Sequence, residues 1–473
     1  MTFRDSLRPL VAVGCILLGW VAMPVARGQD PLPVPSEQEV RGALRLFDVP
    51  GISLAFLADG KINKAMFVGS ASLDPAVPVT ANTLFEAASI SKPVFAWLVM
   101  SLVEDGQIEL DRPIADEFEY ARITDKEAYA KLTPRMILTH RTGMPNWVGT
   151  DVNIYERTTP IPFNSPPGTT YSYSGEAIQL LQAFVESKVG MTLQQLFDQR
   201  LGKLMPQSTY TRPLPNDVVE SRAYQAASDP QSERGMEDVG SDPTRAAAAY
   251  SLVTTAEDLA RFLGLVYRKE GLKLETYQEM FRPQSPIPAG QGPLGAQYGL
   301  GWVVVPMGPD RLVGHTGNNG EYRSIAFVSL GTGEGIVALA NAASSQGLLE
   351  TLVEPPPRPG AKTRGPEEVF DAFWSAFQTN YALFDVKQID WDLIRSVYRP
   401  RISEQTTDNE LWETLSAVIE LLNDVHVTMT DPDNNRTVRS GGRSIGVGVF
   451  DDGQFSLELI KRKYLQSYQS AAG

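Results

Sequence analysis

The sequence predicts an α+β fold in which helices flank an antiparallel sheet. Residues 51–57 and 64–69 are strand-like segments joined by Asp59-Gly60, a pair typical of a tight hairpin turn. Residues 93–104 are apolar nearly all round, as expected for a helix buried in a core. Three further strand-like segments would extend the sheet, namely residues 311–317, 322–330 and 335–340.

A serine followed three residues later by a lysine stands at the start of this helix, in the string Ser89-Ile90-Ser91-Lys92. Residues three apart on a helix lie on the same face, so the Lys92 amine can reach the Ser89 hydroxyl. The first amides of a helix also favour a developing oxyanion. The alternative is that Ser89 only caps the helix, as serines often do.

Two later tripeptides supply what such a serine needs, because serine is a poor nucleophile until a nearby base takes its proton. The tripeptide at 173–175, Tyr-Ser-Gly, offers a phenol that can move a proton, and the tripeptide at 315–317, His-Thr-Gly, ends a strand segment with glycine. A free lysine or phenol titrates near 10, and clustering with burial is expected to lower the pKa of Lys92 and Tyr173. The sequence leaves open which of the two is the base.

In this order the three strings resemble the active-site elements of the serine β-lactamase and penicillin-binding-protein superfamily. The resemblance is to the branch that holds class C β-lactamases, D-Ala-D-Ala carboxypeptidases, D-aminopeptidases and related esterases. It spans roughly residues 36 to 345 and implies a β-lactamase/transpeptidase-like fold with a helical insertion carrying Tyr173. Further similar phrases lie at 85–93, 138–145, 167–174, 251–259 and, as a strand with the sequence Tyr-Gly-Leu-Gly-Trp, at 298–302.

The resemblance implies a role for each site residue. Ser89 would be the nucleophile, Lys92 its activator and Tyr173 the proton shuttle to the leaving group. The oxyanion hole would consist of the backbone amides of Ser89 and Asn318. Glycine after the threonine would let a substrate backbone approach closely. The implied substrate-binding residues are His315, Thr316, Gly317 and Asn318.

Two positions depart from the family's pattern. The family often has lysine where His315 stands, so here the cation would titrate near neutrality and hold a substrate carboxylate less firmly as the pH rises. The family usually has asparagine where Gly175 stands, and that side chain hydrogen-bonds the substrate's amide carbonyl. Loss of one such contact typically costs roughly one to three kcal/mol, which weakens the expectation for amides and leaves esters open.

A second serine motif, Gly-x-Ser-x-Gly at 442–446, fits the nucleophile elbow of α/β-hydrolases. That elbow needs a strand before the serine, a helix after it and a later histidine. A turn-rich segment precedes Ser444, a strand-like segment follows it, and no histidine follows His426. Ser444 is therefore not expected to be a nucleophile.

The N-terminal residues and the composition narrow the function classes further. Residues 1–28 begin with Arg4 and Arg8, continue with an apolar stretch and end in small residues typical of a cleavage site. This pattern predicts a signal peptide and a periplasmic or secreted protein. The single cysteine, Cys15, falls inside this segment, so a lipoprotein signal is the alternative. A formal net charge of −14 without a basic block argues against nucleic acid as a partner, and three separated histidines argue against zinc. No metal, cofactor or membrane span after signal removal is expected.

A proline-rich segment at 354–366 predicts a linker between a hydrolase domain at 29–353 and a second region at 367–473. Phrases in the second region resemble the N-terminal helical part of tail-specific, tricorn-type proteases, in which the catalytic serine comes later. His426 matches a position of that family but lacks this partner, so it is expected to be structural in a small α+β fragment. Two amphipathic helices are predicted there, at 369–377 and 411–422.

These features predict a serine hydrolase that cleaves an ester or amide, in a small-molecule or cell-wall-peptide-like substrate, through an acyl-serine intermediate. One alternative is a catalytically weak penicillin-binding-type receptor or scaffold, in which Gly175 marks decay. Another is a protease whose first domain only recognises substrate. Retention of Ser89, Lys92 and Tyr173 argues against the first, and the short C-terminal region argues against the second.

Overall fold

The computed structural model describes the chain as two compact units that divide between Arg358 and Pro359. The signal-peptide prediction at 1–28, the proline-rich segment up to residue 364, His426 and Ser444 all lie outside the described residues. The described residues are 34–149, 158–212, 214, 218–232, 244–288, 295–307, 310–353, 365–380, 384, 387–424, 427–431 and 436–440.

Eleven strands are described in the first unit. They are β1 (Gly51–Ala58), β2 (Lys61–Leu73), β3 (Ala76–Pro78), β4 (Phe85–Glu86), β5 (Val253–Thr254), β6 (Ser285–Pro286), β7 (Gln297–Tyr298), β8 (Val303–Met307), β9 (Asp310–Asn319), β10 (Tyr322–Ser329) and β11 (Gly335–Ala340). Nine of them form one antiparallel sheet in the order β3-β2-β1-β11-β10-β9-β8-β7-β6, and β4 pairs with β5 separately. The sheet confirms the predicted fold class.

Helices cover both faces of this sheet. The α-helices of the first unit are α1 (Glu37–Leu46), α2 (Ser91–Glu104), α3 (Lys126–Tyr129), α4 (Pro134–Leu138), α5 (Gly175–Val189), α6 (Leu193–Arg200), α7 (Ala256–Arg268), α8 (Leu274–Met280) and α9 (Gln346–Val353). Short 3₁₀ helices span Ala88–Ile90, Ile114–Asp116, Pro230–Ser232 and Ala343–Ser345. Side chains alternate along each strand, so β1 sends Ala55 and Leu57 into the core with α2 and α7, and Ile52 and Leu54 into the core with α1 and α9.

The hairpin and the late strands follow the sequence prediction closely. Asp59 and Gly60 have φ of 49° and 65°, and two positive values in a two-residue loop are those of a type I′ turn. β9, β10 and β11 pair in antiparallel register as neighbours in the sheet. The predicted buried helix is α2, with twelve buried residues between Ser91 and Leu102.

The Tyr-Gly-Leu-Gly-Trp segment is only partly a strand, which corrects the sequence prediction. β7 ends at Tyr298, and the Gly299 amide donates to the Trp302 carbonyl at 2.8 Å, so a turn separates β7 from β8. Gly301 has φ of 82°, and a Cβ there would lie 2.2 Å from Ala96 of α2. Glycine is needed because the turn packs directly on that helix.

The second unit has its own apolar core. Its elements are α10 (Pro366–Asn380), α11 (Trp391–Tyr398), a 3₁₀ helix (Arg399–Arg401), α12 (Asp408–Leu421), β12 (Thr428–Asp431) and β13 (Arg436–Arg439). Phe373, Trp391 and Leu415 are among its buried residues, and β12 pairs with β13 in antiparallel register. α10 and α12 contain the two helices that the sequence predicts.

Among the helices described in either unit, none combines the length and the apolar composition that a membrane crossing requires.

Candidate active site

Ser89 lies in a sharp connection between a strand and a helix. β4 ends at Glu86, the 3₁₀ helix Ala88–Ile90 follows, and α2 begins at Ser91. Ala88 has φ of 50°, a left-handed conformation that non-glycine residues rarely adopt and that often marks functional sites. Neither helix start carries a side-chain cap, so the capping alternative for Ser89 is wrong.

Lys92 is buried directly beside the Ser89 hydroxyl. Its Nζ lies 2.9 Å from Ser89 Oγ and 2.8 Å from the Ala249 carbonyl oxygen. Burial disfavours the ammonium and lowers the pKa of Lys92 to about 7. A neutral amine can donate an N–H to Ala249 and accept the Ser89 proton on its lone pair. The arrangement therefore suits proton transfer from Ser89 Oγ to Lys92 Nζ.

Tyr173 lies against the same lysine, just before α5. Lys92 Nζ is 4.8 Å from the centre of the Tyr173 ring. Burial raises the pKa of Tyr173, although a hydrogen bond with Ser89 opposes the shift. The expectation that burial lowers this pKa is wrong in sign, because a phenolate is the charged form and burial disfavours it. Tyr173 thus stays protonated at neutral pH, whereas Lys92, with the lower pKa, can be neutral there.

His315 is buried and neutral, which corrects the prediction of a cation that titrates near neutrality. Its Nδ1 bonds to the Thr316 carbonyl, which only accepts, so the ring proton is on Nδ1 and Nε2 accepts the Tyr298 hydroxyl at 2.8 Å. Burial and the nearby Lys92 lower the pKa of His315 to about 3, although the bond to Thr316 opposes the shift. His315 therefore offers a substrate carboxylate no charge at neutral pH.

Gly317 makes the close approach between β9 and the nucleophile segment possible. A Cβ at Gly317 would lie 2.1 Å from Ser324 Oγ and 2.4 Å from the Ala87 carbonyl oxygen. The sequence analysis predicted that this glycine gives a substrate backbone access. In the structure the atoms that need the space are Ser324 Oγ and the Ala87 carbonyl oxygen of the protein itself. Close packing brings the edge of β9 beside Ser89.

The Asn318 amide points towards the open edge of β9. Asn319 and Tyr322 close a two-residue hairpin, so alternate residues from Asn319 backwards exchange hydrogen bonds with β10 and Asn318 does not. β8 pairs with β9 only from Asp310 to Gly314 and does not cover this end. Thr316 and Asn318 are exposed there. Ser89 occupies the first turn of its 3₁₀ helix, where amides lack partners within the helix.

His140 binds the backbone on both sides of Tyr173. The sequence prediction did not include it among the site residues. Its backbone carbonyl accepts the Ser172 amide at 2.7 Å, and its Nδ1 accepts the Ser174 amide at 3.2 Å. The His140 and Tyr173 ring centres are 4.3 Å apart. Nε2 of this buried ring has no hydrogen-bond partner among the described residues. In the sequence, His140 lies in the family-like phrase at 138–145, and this phrase could have indicated a role for it at the site.

Trp147 was also missed, and it explains why position 175 is glycine. A Cβ at Gly175 would lie 2.3 to 2.8 Å from three carbons of the Trp147 indole. Gly175 has no positive φ, so space and not backbone conformation requires glycine here. The absence of an asparagine is thus coupled to the presence of a tryptophan. No sequence pattern indicates this contact.

No group of three or more His, Cys, Asp or Glu side chains in the described ranges could hold a metal ion.

Residues 40–351 match the Beta-lactamase family. The chain belongs to the β-lactamase family. Residues 364–419 match the Tricorn protease C1 domain. Both matches confirm the resemblances that the motifs indicated.

Curated relatives are of several kinds. Penicillin-binding protein 4 of Amycolatopsis lactamdurans is 26% identical over 245 residues, which are 48% of this chain and 61% of that protein. Esterase EstB of Burkholderia gladioli is 28% identical over 175 residues, which are 32% of this chain and 44% of that protein. The chain therefore spans less than two thirds of the length of these relatives.

Solved structures share the fold of the first unit. A penicillin-binding protein homologue from Pyrococcus abyssi, described as octameric, matches with a TM-score of 0.56 and 20% identity, over 67% of this chain and 75% of that chain. D-amino acid amidase from Ochrobactrum anthropi SV3 matches with a TM-score of 0.55 and 22% identity, over 68% of this chain and 98% of that chain. At these sequence identities the similarity is evidence for a shared fold alone.

Proposed function

We propose that the first unit is a serine hydrolase that cleaves an ester or amide through an acyl-Ser89 intermediate. The observation that carries the proposal is the buried Lys92 amine, 2.9 Å from Ser89 Oγ and with its pKa lowered to about 7. An amine with this pKa is about half neutral near pH 7, and a general base is most effective when its pKa lies near the working pH. No other described serine in the first unit has such a partner within hydrogen-bond distance.

In the acylation step Ser89 Oγ attacks the carbonyl carbon of the substrate while Lys92 takes the hydroxyl proton. The oxyanion that forms accepts hydrogen bonds from the backbone amides of Ser89 and Asn318. The bond to the leaving group then breaks, and Tyr173, which is protonated, gives its proton to the departing oxygen or nitrogen. Lys92 then passes the proton that it took from Ser89 to Tyr173. Both side chains thereby regain their starting protonation states before water enters.

In deacylation Lys92 removes a proton from water, the hydroxide adds to the acyl carbon, and Ser89 leaves with that proton. The neutral state of His315 supports substrates that lack a carboxylate at this position. Gly175 offers no side-chain amide to a substrate amide group. Both features favour esters over peptides with a free carboxyl end.

Labelling with a small fluorophosphonate, followed by mass spectrometry of the peptides, tests the proposal. We expect the label on Ser89, and Ser89→Ala should abolish both labelling and hydrolysis of p-nitrophenyl acetate, with a loss on the order of 10³-fold or more. Ser91→Ala is the matched control, since Ser91 Oγ bonds to the Ala88 carbonyl in the same helix turn. A label on another serine would refute the assignment, and a chain that binds a fluorescent penicillin without turnover would be a receptor.

The location and the role of the remaining residues belong to the same proposal. Residues 1–28 would direct the protein to the periplasm or the exterior, and 29–353 would form the hydrolase domain. Residues 367–473 would be catalytically silent. Fractionation of cells that express the full chain, with sequencing of the mature N-terminus, tests the first of these statements.

A further inference from the structure

Glu86 is a buried carboxylate that the proposed reaction does not use. It is 5% exposed and ends β4, three residues before Ser89. The cation beside it is Arg212, whose Nη2 lies 3.8 Å from Glu86 Oε1, too far for a hydrogen bond. Arg212 bonds instead to Glu220, with its Nε 3.1 Å from Glu220 Oε2. Because a buried carboxylate is costly unless other groups satisfy it, the group that does bond to Glu86 is informative.

Glu176, at the start of α5, shows a different arrangement of a buried carboxylate. Its side chain is 1% exposed, and Arg122 Nη1 donates to its Oε2 at 2.6 Å. The Val148 amide donates to Glu176 Oε1 at 3.0 Å, and the Asn146 carbonyl oxygen accepts the Glu176 amide at 3.0 Å. This ion pair is hydrogen-bonded and holds a loop to a helix. Glu86 receives no such bond from its arginine, so its hydrogen bond comes from another element.

That hydrogen bond comes from the end of β9. Asn319 Nδ2 donates to Glu86 Oε2 at 2.6 Å and lies 3.3 Å from the Tyr250 carbonyl oxygen. Asn319 directly follows Asn318, whose amide is one proposed half of the oxyanion hole. The amide of Ser89 is the other half. One side-chain contact therefore joins the two segments that supply the two amides.

Asn318 is held firmly within its hairpin. Its Oδ1 accepts the Gly320 amide at 3.1 Å and Arg323 Nη1 at 2.7 Å. β8 pairs with β9 only as far as Gly314 and leaves this end of the strand uncovered. The internal bonds thus set the shape of the hairpin, and the contact with Glu86 fixes the hairpin against the segment before Ser89.

The segment that carries the nucleophile needs such outside contacts. Ala88 has φ of 50°, a conformation that costs energy and persists only where the surroundings hold it. The Ala87 amide donates to the Leu252 carbonyl oxygen at 2.8 Å, and Ser324 Oγ of β10 donates to the Ala87 carbonyl oxygen at 2.8 Å. The contact of Glu86 adds a second bond to the same hairpin. The strained turn and the hairpin are therefore joined at two points.

We propose that Glu86 is a positioning residue, which sets the spacing of the Ser89 and Asn318 amides through its hydrogen bond with Asn319. This inference rests on the proposed hydrolase function. An oxyanion forms only as the tetrahedral intermediate is approached, so a change in spacing should act on kcat and hardly on KM. Burial raises the pKa of Glu86 to about 7. A carboxyl group accepts a hydrogen bond on its oxygen in either protonation state, so the contact persists on both sides of that pKa.

Steady-state hydrolysis of p-nitrophenyl acetate by the full chain tests the positioning. Glu86→Leu, which removes the acceptor and keeps the bulk, should lower kcat roughly ten- to hundredfold and change KM by less than about twofold. Glu86→Gln keeps an oxygen acceptor for Asn319 and should retain kcat within about threefold. Asn319→Ala should resemble Glu86→Leu. Because both changes break one contact, the double variant should be little worse than the poorer single variant.

Tyr277→Phe is the matched control for a general loss of structure. It removes a buried hydrogen bond, 3.0 Å long, with Trp97 further along α2. This variant should have a lower melting temperature and an unchanged kcat. The pH profile supplies a second check, since the inflection of kcat/KM near pH 7 should be the same in Glu86→Leu as in wild type if Lys92 is unaffected.

Each outcome decides between the proposals. If wild type hydrolyses the ester and is labelled at Ser89 but Glu86→Leu keeps kcat within about twofold, the positioning role is refuted and the hydrolase proposal stands. A Glu86→Gln variant as slow as Glu86→Leu also refutes it, because charge and not the hydrogen bond would then matter. A displaced inflection in Glu86→Leu refutes it too, because Glu86 would then act on Lys92. If wild type shows neither hydrolysis nor a label on Ser89, both proposals fail.

Discussion

The ionisable side chains around the candidate site of the first unit differ in burial and pKa from a charged cluster in the second unit. In the first unit Lys92, Glu86 and His315 are buried, and burial shifts the pKa of each towards the neutral form, to about 7, about 7 and about 3. In the described part of the second unit Asp371 remains partly exposed and ion-paired with Arg395 and Arg399. Burial would raise the pKa of Asp371, but hydrogen bonds from these arginines hold it below its ordinary value.

The difference indicates which groups lower the free energy of unfolding. An ionised pair at the surface contributes little, usually below about 1 kcal/mol, and costs little. A buried amine that must lose its proton costs several kcal/mol, and buried groups with shifted pKa values cluster at functional sites. Buried groups with shifted pKa values therefore mark the candidate active site of the first unit more sharply than the number of charges does.

The largest expected effect comes from removing the proton-transfer pair. Tyr173→Phe and Lys92→Ala should each lower kcat for an ester by roughly 10² to 10⁴, the range for general acid and base groups. The double variant should be little worse than the poorer single variant, because the two groups act in one proton relay. Steady-state kinetics of the four proteins measure this. Losses that multiply would mean that the residues act independently.

Stability should change most where the buried amine is replaced. The pKa of Lys92 is lowered in the folded state, so its burial penalty is fully present below pH 7 and disappears as the pH rises towards the unfolded value of 10.5. Urea unfolding should therefore show wild type becoming more stable from pH 7 to pH 10, by on the order of a few kcal/mol relative to Lys92→Met. Arg399→Met, a matched change in the second unit, should give a nearly pH-independent difference below about 1 kcal/mol. Equal pH dependence in both variants would contradict the comparison.

The pH-rate profile follows the same group. Because the neutral amine is the base, kcat/KM for an uncharged ester should rise about tenfold per pH unit below pH 7 and level off above it. His315 has its pKa near 3 and should add no step in this range. His315→Gln, which keeps a polar side chain, should leave the inflection near pH 7. A second ionisation near neutrality that this variant removes would show that His315 does titrate there.

A smaller effect is expected at position 175. Gly175→Asn alone should lower ester hydrolysis several-fold and give no gain with amides, because its Cβ clashes with Trp147. The missing asparagine taken alone would predict a gain with amides from this substitution. Combining Gly175→Asn with Trp147→Ala removes the clash and should raise the amide-to-ester ratio above that of Trp147→Ala alone. An amide gain in the single variant would mean that the indole moves freely.

The smallest effect should follow removal of the second unit. A chain ending at Val353 should keep ester hydrolysis within about threefold, because the first unit has its own two apolar cores and contains every proposed catalytic group. Residues 367–473 alone should cleave no unfolded protein. Casein digestion by the isolated region, retained by full-length Ser89→Ala, would support the protease alternative instead.

Local patterns predicted much of this molecule. The turn dipeptide Asp59-Gly60 and the helical spacing of Ser89 and Lys92 depend on neighbours in sequence, so the hairpin and the Lys92–Ser89 contact could be predicted. Even the direction of the Asn318 amide follows from the register of a two-residue hairpin. The sign of the Tyr173 shift was also within reach, because burial disfavours the charged form and so raises the pKa of a neutral acid such as a phenol.

Other features depend on segments that are distant in sequence. The burial of His315 near Lys92 of α2, and its hydrogen bond with Tyr298 of β7, join segments that are far apart in sequence, which strand periodicity does not encode. The support that His140 gives to Tyr173 joins residues more than thirty positions apart. The exclusion of a side chain at Gly175 by Trp147 is a matter of volume in three dimensions.

The buried pair of Arg122 and Glu176 has a consequence for the thermodynamics of binding. Because Glu176 fixes the Val148 amide and Asn146 fixes the first amides of α5, the loop that carries the indole is ordered by folding and not by the ligand. Ordering a loop when a ligand arrives costs conformational entropy, and a loop that is already ordered avoids that loss. Calorimetry of a reversible active-site inhibitor should accordingly show little unfavourable entropy, and Arg122→Met should make the entropy of binding less favourable.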